Sequence, residues 1–334
     1  MTLAIQSYPW HSTPWQQLQS MVSQNRLPHA LIIGGVPGLG KLAFAQRLAT
    51  ALICRQPVDG EACGECKSCK LLQAGSHPDL IQLQPLEAGK AILVDQVRQA
   101  LATLSNTSQQ GGARVVIINC ATDLNLNSAN ALLKQLEEPG DNNYFLLLHP
   151  WPRPLLPTVV SRSQQLEMPV PQTQVALSWL AQHMDDDTAA IVLPLAKGAP
   201  LQALCLYEDK THEVRHQMLV QLTAILRGKQ SPIAVAASWQ KLPLAQALTW
   251  WVECLNDLIK LKLTQDPSVL VNSDLLKLLQ AVAKRSDIGA IYALLDEVTV
   301  QLNYLQQRRN LNAQSMCEDL LNSWFMLVST GDNP

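Results

Sequence analysis

Two hydrophobic rhythms divide the chain near residue 170. Before it, short apolar runs alternate with stretches whose apolar residues recur every three or four positions. His29-Ala30-Leu31-Ile32-Ile33, Val115-Val116-Ile117-Ile118 and Phe145-Leu146-Leu147-Leu148 read as strands buried on both faces. Asp79–Leu83 and Gln165–Met168 are further strand candidates. Between them, Trp15, Leu18, Met21 and Val22, the segment Lys41–Ile53, the series Val94, Val97, Leu101 and Leu104, and residues 127–137 read as helices. Strands that alternate with helices predict a parallel sheet covered on both faces.

After Pro169 and Pro171 the strand signals stop. Residues 172–208 hold short helical patterns broken at Pro194, Gly198 and Pro200. From about 211 to 328 the chain reads as long amphipathic helices, such as Leu244–Leu263 and Ile288–Leu305. The pattern predicts three parts: an α/β domain over 1–168, a small helical domain over 169–209 and an all-α domain over 210–334. There is no internal repeat and no low-complexity tract.

Composition narrows the reading. At 334 residues the chain exceeds one typical domain. Hydrophobic residues at 47% and charged ones at 16% supply buried cores and argue against disorder. A net charge of −2 gives a dedicated duplex binder no support. No apolar run reaches the roughly 18 residues that span a bilayer. Met1–Ser7 lacks a basic stretch followed by a long apolar one. The expectation is a cytosolic protein whose eight cysteines are reduced or metal-bound.

One loop carries phosphate chemistry. Gly35-Val36-Pro37-Gly38-Leu39-Gly40-Lys41 completes Gly-x4-Gly-Lys between a predicted strand and a predicted helix. The next position calls for a Ser or Thr hydroxyl to hold Mg²⁺, and Leu42 has none. The strand Val115–Ile118 should end in a carboxylate for the same ion, but it runs into Asn119-Cys120. Asp123 comes several residues too late. Gly35, Gly38, Gly40 and Lys41 remain able to bind phosphate passively, while metal binding and water activation are gone. The bland alternative is a tight turn and nothing more.

Cys54, Cys63, Cys66 and Cys69 give C-x8-C-x2-C-x2-C, a spacing at which four thiolates wrap a tetrahedral ion. Cys54 ends the predicted helix, and the other three cysteines are expected in a loop with Gly60 and Gly64. Four thiolates close the coordination sphere, so the ion is structural, and zinc is the expected metal. An iron–sulfur cluster stands second, because no Cys-Pro follows downstream. Disulfides fit the count but not the compartment. His77 reads as a turn residue. Cys120, Cys205, Cys254 and Cys317 read as small buried apolar residues.

The stretch Ser128-Ala129-Asn130-Ala131-Leu132-Leu133-Lys134-Gln135-Leu136-Glu137-Glu138-Pro139, with Ser161-Arg162 after it, resembles the bacterial DNA polymerase III clamp loader subunits, a group of AAA+ ATPases. The inserted cysteines and Pro28-His29-Ala30 match that family too. The resemblance is strong over residues 28–166 and looser beyond. It implies a RecA-like AAA+ domain with a zinc module at 54–69, a helical lid and a helical collar. The family's hydrolysing subunits keep Lys-Ser/Thr and Asp-Glu. Leu42 and Asn119-Cys120 therefore place this chain with its non-hydrolysing kind, and His149-Pro150 and Leu201 at the sensor positions agree. The family's Ser-Arg-Cys motif lends an arginine to a neighbour's ATP. Here it reads Ser161-Arg162-Ser163, which makes Arg162 a candidate catalytic group acting in trans. The partners implied are motor subunits of gamma/tau type, a delta subunit, the sliding clamp and primed DNA.

Two other readings stay open: a clamp-loader-type ATPase with a rearranged site, and a zinc-dependent nucleic-acid binding module. Outside the motifs, Lys134 and Glu138 read as an ordinary i,i+4 pair. Trp250 and Trp251, with Leu248 and Leu255, fit a helix–helix interface, and core packing within the last domain fits one of them equally well; they point about 100° apart on a helix, so both need not face the same core. Arg308-Arg309 reads as a small solvated basic spot.

Overall fold

The computed structural model describes residues 6–87, 89–105, 112–307 and 312–329. Arg308 and Arg309 lie outside them. The chain forms two compact units, 1–178 with 198–202, and 179–197 with 203–334.

The first unit opens with α1 (Ser12–Ser23), then β1 (Ala30–Gly35), α2 (Lys41–Ile53), α3 (Lys67–Gln73), β2 (Leu80–Leu83), α4 (Val94–Ser105), β3 (Arg114–Ile118), α5 (Leu126–Glu137), β4 (Asn143–Pro150), α6 (Pro157–Val160), β5 (Gln164–Glu167) and α7 (Thr173–Leu180). The five strands are all parallel, in the order β2-β3-β4-β1-β5. The expected covered sheet is therefore present. Its two faces follow the two-residue period of a strand. Leu31, Ile33, Val115, Ile117, Leu146 and Leu148 pack against Trp15, Phe44 and Leu48 on one side. Ala30, Ile32, Val116, Ile118, Phe145 and Leu147 pack against Val97, Leu104, Leu132 and Leu136 on the other.

Helix ends follow local chemistry. Asn125 Oδ1 accepts from the Ser128 amide 2.9 Å away and starts α5. The carboxylate of Asp185 does the same for Thr188 at 2.8 Å, opening α8 (Asp186–Leu195). One helix departs from expectation. Cys66 caps α3 and Cys69 lies inside it, so the cysteine stretch is not all loop.

Beyond α8 come α9 (Pro200–Glu208), α10 (Thr211–Leu226), α11 (Pro232–Trp239), α12 (Leu244–Thr264), α13 (Leu276–Arg285), α14 (Ile288–Gln306) and α15 (Ala313–Ser329). Ser231 caps α11 with Pro232 in its first turn. The second unit's core is built on Trp239, Trp251 and Trp324, whose rings meet edge to face 5.4 and 6.0 Å apart. Trp250 and Trp251 are both buried in this one core. α12 packs against α10, α13 and α14, so helices cover more than one of its faces. Cys254 and Cys317 are buried as expected, but Cys120 is half-buried and Cys205 is exposed. Among the described residues no single helix is long and apolar enough to cross a membrane.

Candidate functional sites

β1 delivers the chain into the glycine loop and α2 leads it away. Gly38 and Gly40 sit at φ 83° and 77°, where side chains are strained. A Cβ on Gly40 would lie 2.7 Å from the Tyr8 ring, and one on Gly38 would lie 2.5 Å from the Gln202 amide nitrogen. Both glycines are needed for close approach as well as for conformation.

Lys41 is only 9% exposed, and its Nζ donates to the carbonyls of Gly35 and Val36, each 2.7 Å away. In a working loop that ammonium reaches phosphate oxygens; here the loop's own oxygens take its hydrogens. Burial draws its pKa down to about 8, with Cys120 pulling the other way. Leu42, at the position of the missing hydroxyl, packs against the sheet core. Past the end of β3, the Cys120 thiol shares a 3.1 Å hydrogen bond with Thr122, and Asp123 is engaged by Arg153 at 3.2 Å.

Every carbonyl from Gly38 to Gly40 is also taken. Leu201 N–H donates to Gly38 at 3.1 Å and Phe44 N–H to Gly40 at 3.0 Å. Trp10 Nε1 and His11 Nε2 both donate to Leu39, at 2.9 and 2.8 Å. Since a carbonyl only accepts, His11 carries a proton on Nε2. Its Nδ1 is buried without a partner, and burial lowers its pKa, which favours the neutral ring. The segment Tyr8–His11 gave no periodic signal in the sequence, and its role against the loop was not foreseen.

The four cysteines converge. Their Sγ atoms all lie within 4.8 Å of one another. Cys54–Cys63, Cys54–Cys66 and Cys63–Cys69 are separated by 3.5, 3.9 and 3.9 Å. A regular tetrahedron with metal–sulfur bonds near 2.3 Å has edges of about 3.8 Å. The amides of Cys63, Cys66 and Cys69 donate to the sulfurs of Cys54, Cys63 and Cys66 at 3.3, 3.4 and 3.4 Å. Burial pushes the Cys66 thiol up, but the amides of Cys69 and Arg55 and hydrogen bonds with the Cys69 and Cys63 thiols prevail and bring it down to about 6. Donor type, spacing and N–H···S bonds all fit a closed tetrahedral metal site. Gly60 and Gly64, at φ 78° and 76°, turn the chain around it. His77 stays apart from the set: its Nδ1 accepts from the Asp79 amide at 3.1 Å, the expected turn role.

Arg162 follows the short helix α6. Its Nη1 donates to Thr158 O at 3.1 Å and to Ser161 Oγ at 3.2 Å. Its Nε and Nη2 converge on Glu137 Oε1 at 2.6 and 2.5 Å, with the arginine side chain 34% exposed. Glu137 ends α5, inside the Glu-Glu-Pro stretch. Ser163, which replaces the usual Cys, donates to Val159 O at 2.9 Å and so fastens the turn. Glu137 is thus the partner of Arg162, a link that no spacing in the sequence announced. The Arg162–Glu137 pair is also what an ordinary surface arginine would make.

The family model described as DNA polymerase III, delta subunit, matches residues 10–172, and one described as its C-terminal part matches 210–325. The DNA polymerase III subunit delta' of Pseudomonas aeruginosa is 36% identical over 327 residues, which cover 97% of this chain and 99% of that one. The Escherichia coli subunit delta' is 31% identical, with 94% of each chain covered. A solved gamma subunit-related protein of DNA polymerase III from Thermotoga maritima covers 93% of this chain and 98% of its own at 15% identity, with a TM-score of 0.45. Identity above 30% along nearly the whole chain, on a five-stranded parallel sheet followed by a mostly helical region, decides the family: the chain belongs to the DNA polymerase III delta-prime subunits.

Proposed function

We propose that this chain is a fixed, non-hydrolysing subunit of a clamp-loading assembly. The observation that carries the reading is Lys41, folded onto Gly35 and Val36, with Leu42 where a metal's hydroxyl ligand belongs and Asn119-Cys120 where the carboxylates belong. Such a loop has lost the means to position Mg²⁺. A subunit with no differential affinity for ATP and ADP states cannot be driven between conformations by them. It suits the role of a stator against which motor subunits of gamma/tau type move, with a delta subunit completing the complex. Through that complex it acts with the sliding clamp on primed DNA, in the cytoplasm at the nucleoid.

In this reading Arg162 leaves Glu137 and meets the phosphates of ATP held by a neighbour. Its planar fork stays charged and pairs with phosphate oxygens, and Ser161 positions it. Fingers supplied in trans contribute on the order of 10³–10⁵ in rate in GTPases. Cys54, Cys63, Cys66 and Cys69 hold structural zinc, which ties α2 to α3. The proposed division into a RecA-like domain over 1–168, a lid over 169–209 and a collar over 210–334 belongs to the same reading.

The experiment is reconstitution with the motor subunits, comparing wild type with Arg162→Ala for DNA-stimulated ATP turnover and clamp loading. Assembly with turnover reduced by at least about tenfold supports the finger. An assembled variant that performs like wild type removes it. Turnover by the isolated chain that Lys41→Ala abolishes would favour the active-ATPase alternative.

A further inference from the structure

The second unit carries a groove of about 1110 Å³ between α10 and α13. It exceeds the usual 300–1,000 Å³ of small-ligand pockets. Leu219, Val220, Leu278 and Val282 line it, with Val220 left 53% exposed. Arg227, Lys229, Lys277, Lys284 and Arg285 also line it, and among the described residues none of the five is in a salt bridge. The one acidic lining residue, Asp274, is already bound to Arg215 at 2.7 Å. On a chain of net charge −2, this is a concentrated cationic rim around an apolar floor.

Helix electrostatics explain part of the rim. Lys284 and Arg285 occupy the last turn of α13 and Arg227 caps the end of α10, where cations are favoured. Lys277 lies in the first turn of α13, where the macrodipole opposes a cation. Its position is not accounted for by the stability of its own helix.

We propose that this groove is a docking site for an acidic amphipathic helix of a partner protein. Apolar residues at i, i+3, i+4 and i+7 would fill the floor, and Asp or Glu on the flanks would meet the five cations. A helix about 10 Å across suits a trough of this size. Single-stranded nucleic acid fits less well. Phosphates would find the cations, but no Phe, Tyr or Trp lines the groove to stack a base, and His216 is its one aromatic ring. The inference stands apart from the proposed role of Arg162 and survives its failure.

The test uses the full chain and a fluorescein-labelled synthetic helix of about 18 residues, long enough to hold its fold when docked. It carries leucines at the stated spacing and glutamates on the flanks. Saturable binding is expected, weakening between about 50 and 300 mM salt. It should fall by about tenfold or more in Lys277→Glu/Lys284→Glu and in Val220→Glu. These positions are exposed, so circular dichroism and melting should be unchanged, which separates lost docking from lost folding. A peptide with lysine flanks should not bind. Failure of the acidic peptide to bind, or equal binding to the variants, overturns the proposal. So does tighter binding of an oligothymidylate that the same reversals abolish, or self-association of the chain that they abolish.

Discussion

Arg162 and Glu137 meet through one oxygen: Nε and Nη2 of the arginine both donate to Oε1, at 2.6 and 2.5 Å, across 25 residues of sequence. Both side chains are partly exposed, at 34% and 49%. An exposed pair of this kind contributes about 0–1 kcal/mol. It is weak enough to yield to a phosphate.

Replacing Glu137 by Gln should therefore barely change stability. In a reconstituted complex it should leave maximal ATP turnover within about fivefold of wild type, whereas Arg162→Lys should lose most of what Arg162→Ala loses. A Glu137→Gln complex as inactive as Arg162→Ala would mean that the carboxylate itself acts in turnover, not merely as a resting partner.

Lys41 gives a pH signature. Burial holds its pKa near 8, against an ordinary value of 10.5. Between those values the unfolded chain binds more protons than the folded one, so stability rises with pH through that window. Below pH 8 the cost of burying the cation is present in full. Unfolding of wild type and Lys41→Met from pH 7 to 10.5 should show the wild type gaining about 1–3 kcal/mol relative to the variant. A flat difference would show that Lys41 is solvated and not clamped on Gly35 and Val36.

Much of the first unit was legible because burial and period coincide there. The bounds Lys41–Ile53 of α2 follow from a glycine loop before it and Cys54 after it. The short α3 was not legible, because Lys67–Gln73 is too brief to show a period and its cysteines suggested a loop. The placement of Trp250 and Trp251 was not legible, because a 100° separation assigns faces only when one side of a helix is covered, and α12 has neighbours on several sides. At the candidate sites, the cysteines and the glycine loop declared themselves by spacing. Glu137, Trp10 and His11 act on partners 25 to 29 residues away, and no local pattern encodes such a meeting.

The cysteine cluster predicts dependence on metal. Cys54 ends α2 and Cys66 begins α3, so the ion would fasten two helices of one unit. Arg47 pairs with Glu61 and lies 3.9 Å over the Trp15 ring, which links the cysteine segment to α1 and α2. Purified protein should contain one zinc per chain by elemental analysis. Chelation or Cys66→Ser should remove it, lower the melting temperature by about 5 °C or more, and raise amide exchange over 54–73. A zinc-free chain that melts like wild type would show the cluster to be four reduced thiols without structural work.

The second unit holds a buried ionic chain whose failure should be severe and non-additive. Arg215, 1% exposed on α10, reaches Asp274 at 2.7 and 3.2 Å and Asn272 at 2.6 Å. Asn272 in turn gives its backbone N–H and its Nδ2 to Asp257 at 2.7 and 2.8 Å, and Lys260 reaches the other oxygen of Asp257 at 3.1 Å. Two cations face two carboxylates, so the set is neutral as long as it is whole. Asp274→Ala leaves the Arg215 guanidinium buried with only Asn272 beside it, and breaking a buried pair from one side costs about 3–5 kcal/mol. Adding Arg215→Met removes the stranded charge and keeps most of the volume. The double variant should then be more stable than Asp274→Ala alone, a coupling that appears only when two groups interact directly. Amide exchange in α12 measures the change in this unit without interference from the first. If the double variant is less stable by the sum of the single losses, the two residues are independent and the pairing at 2.7 Å does not govern this core.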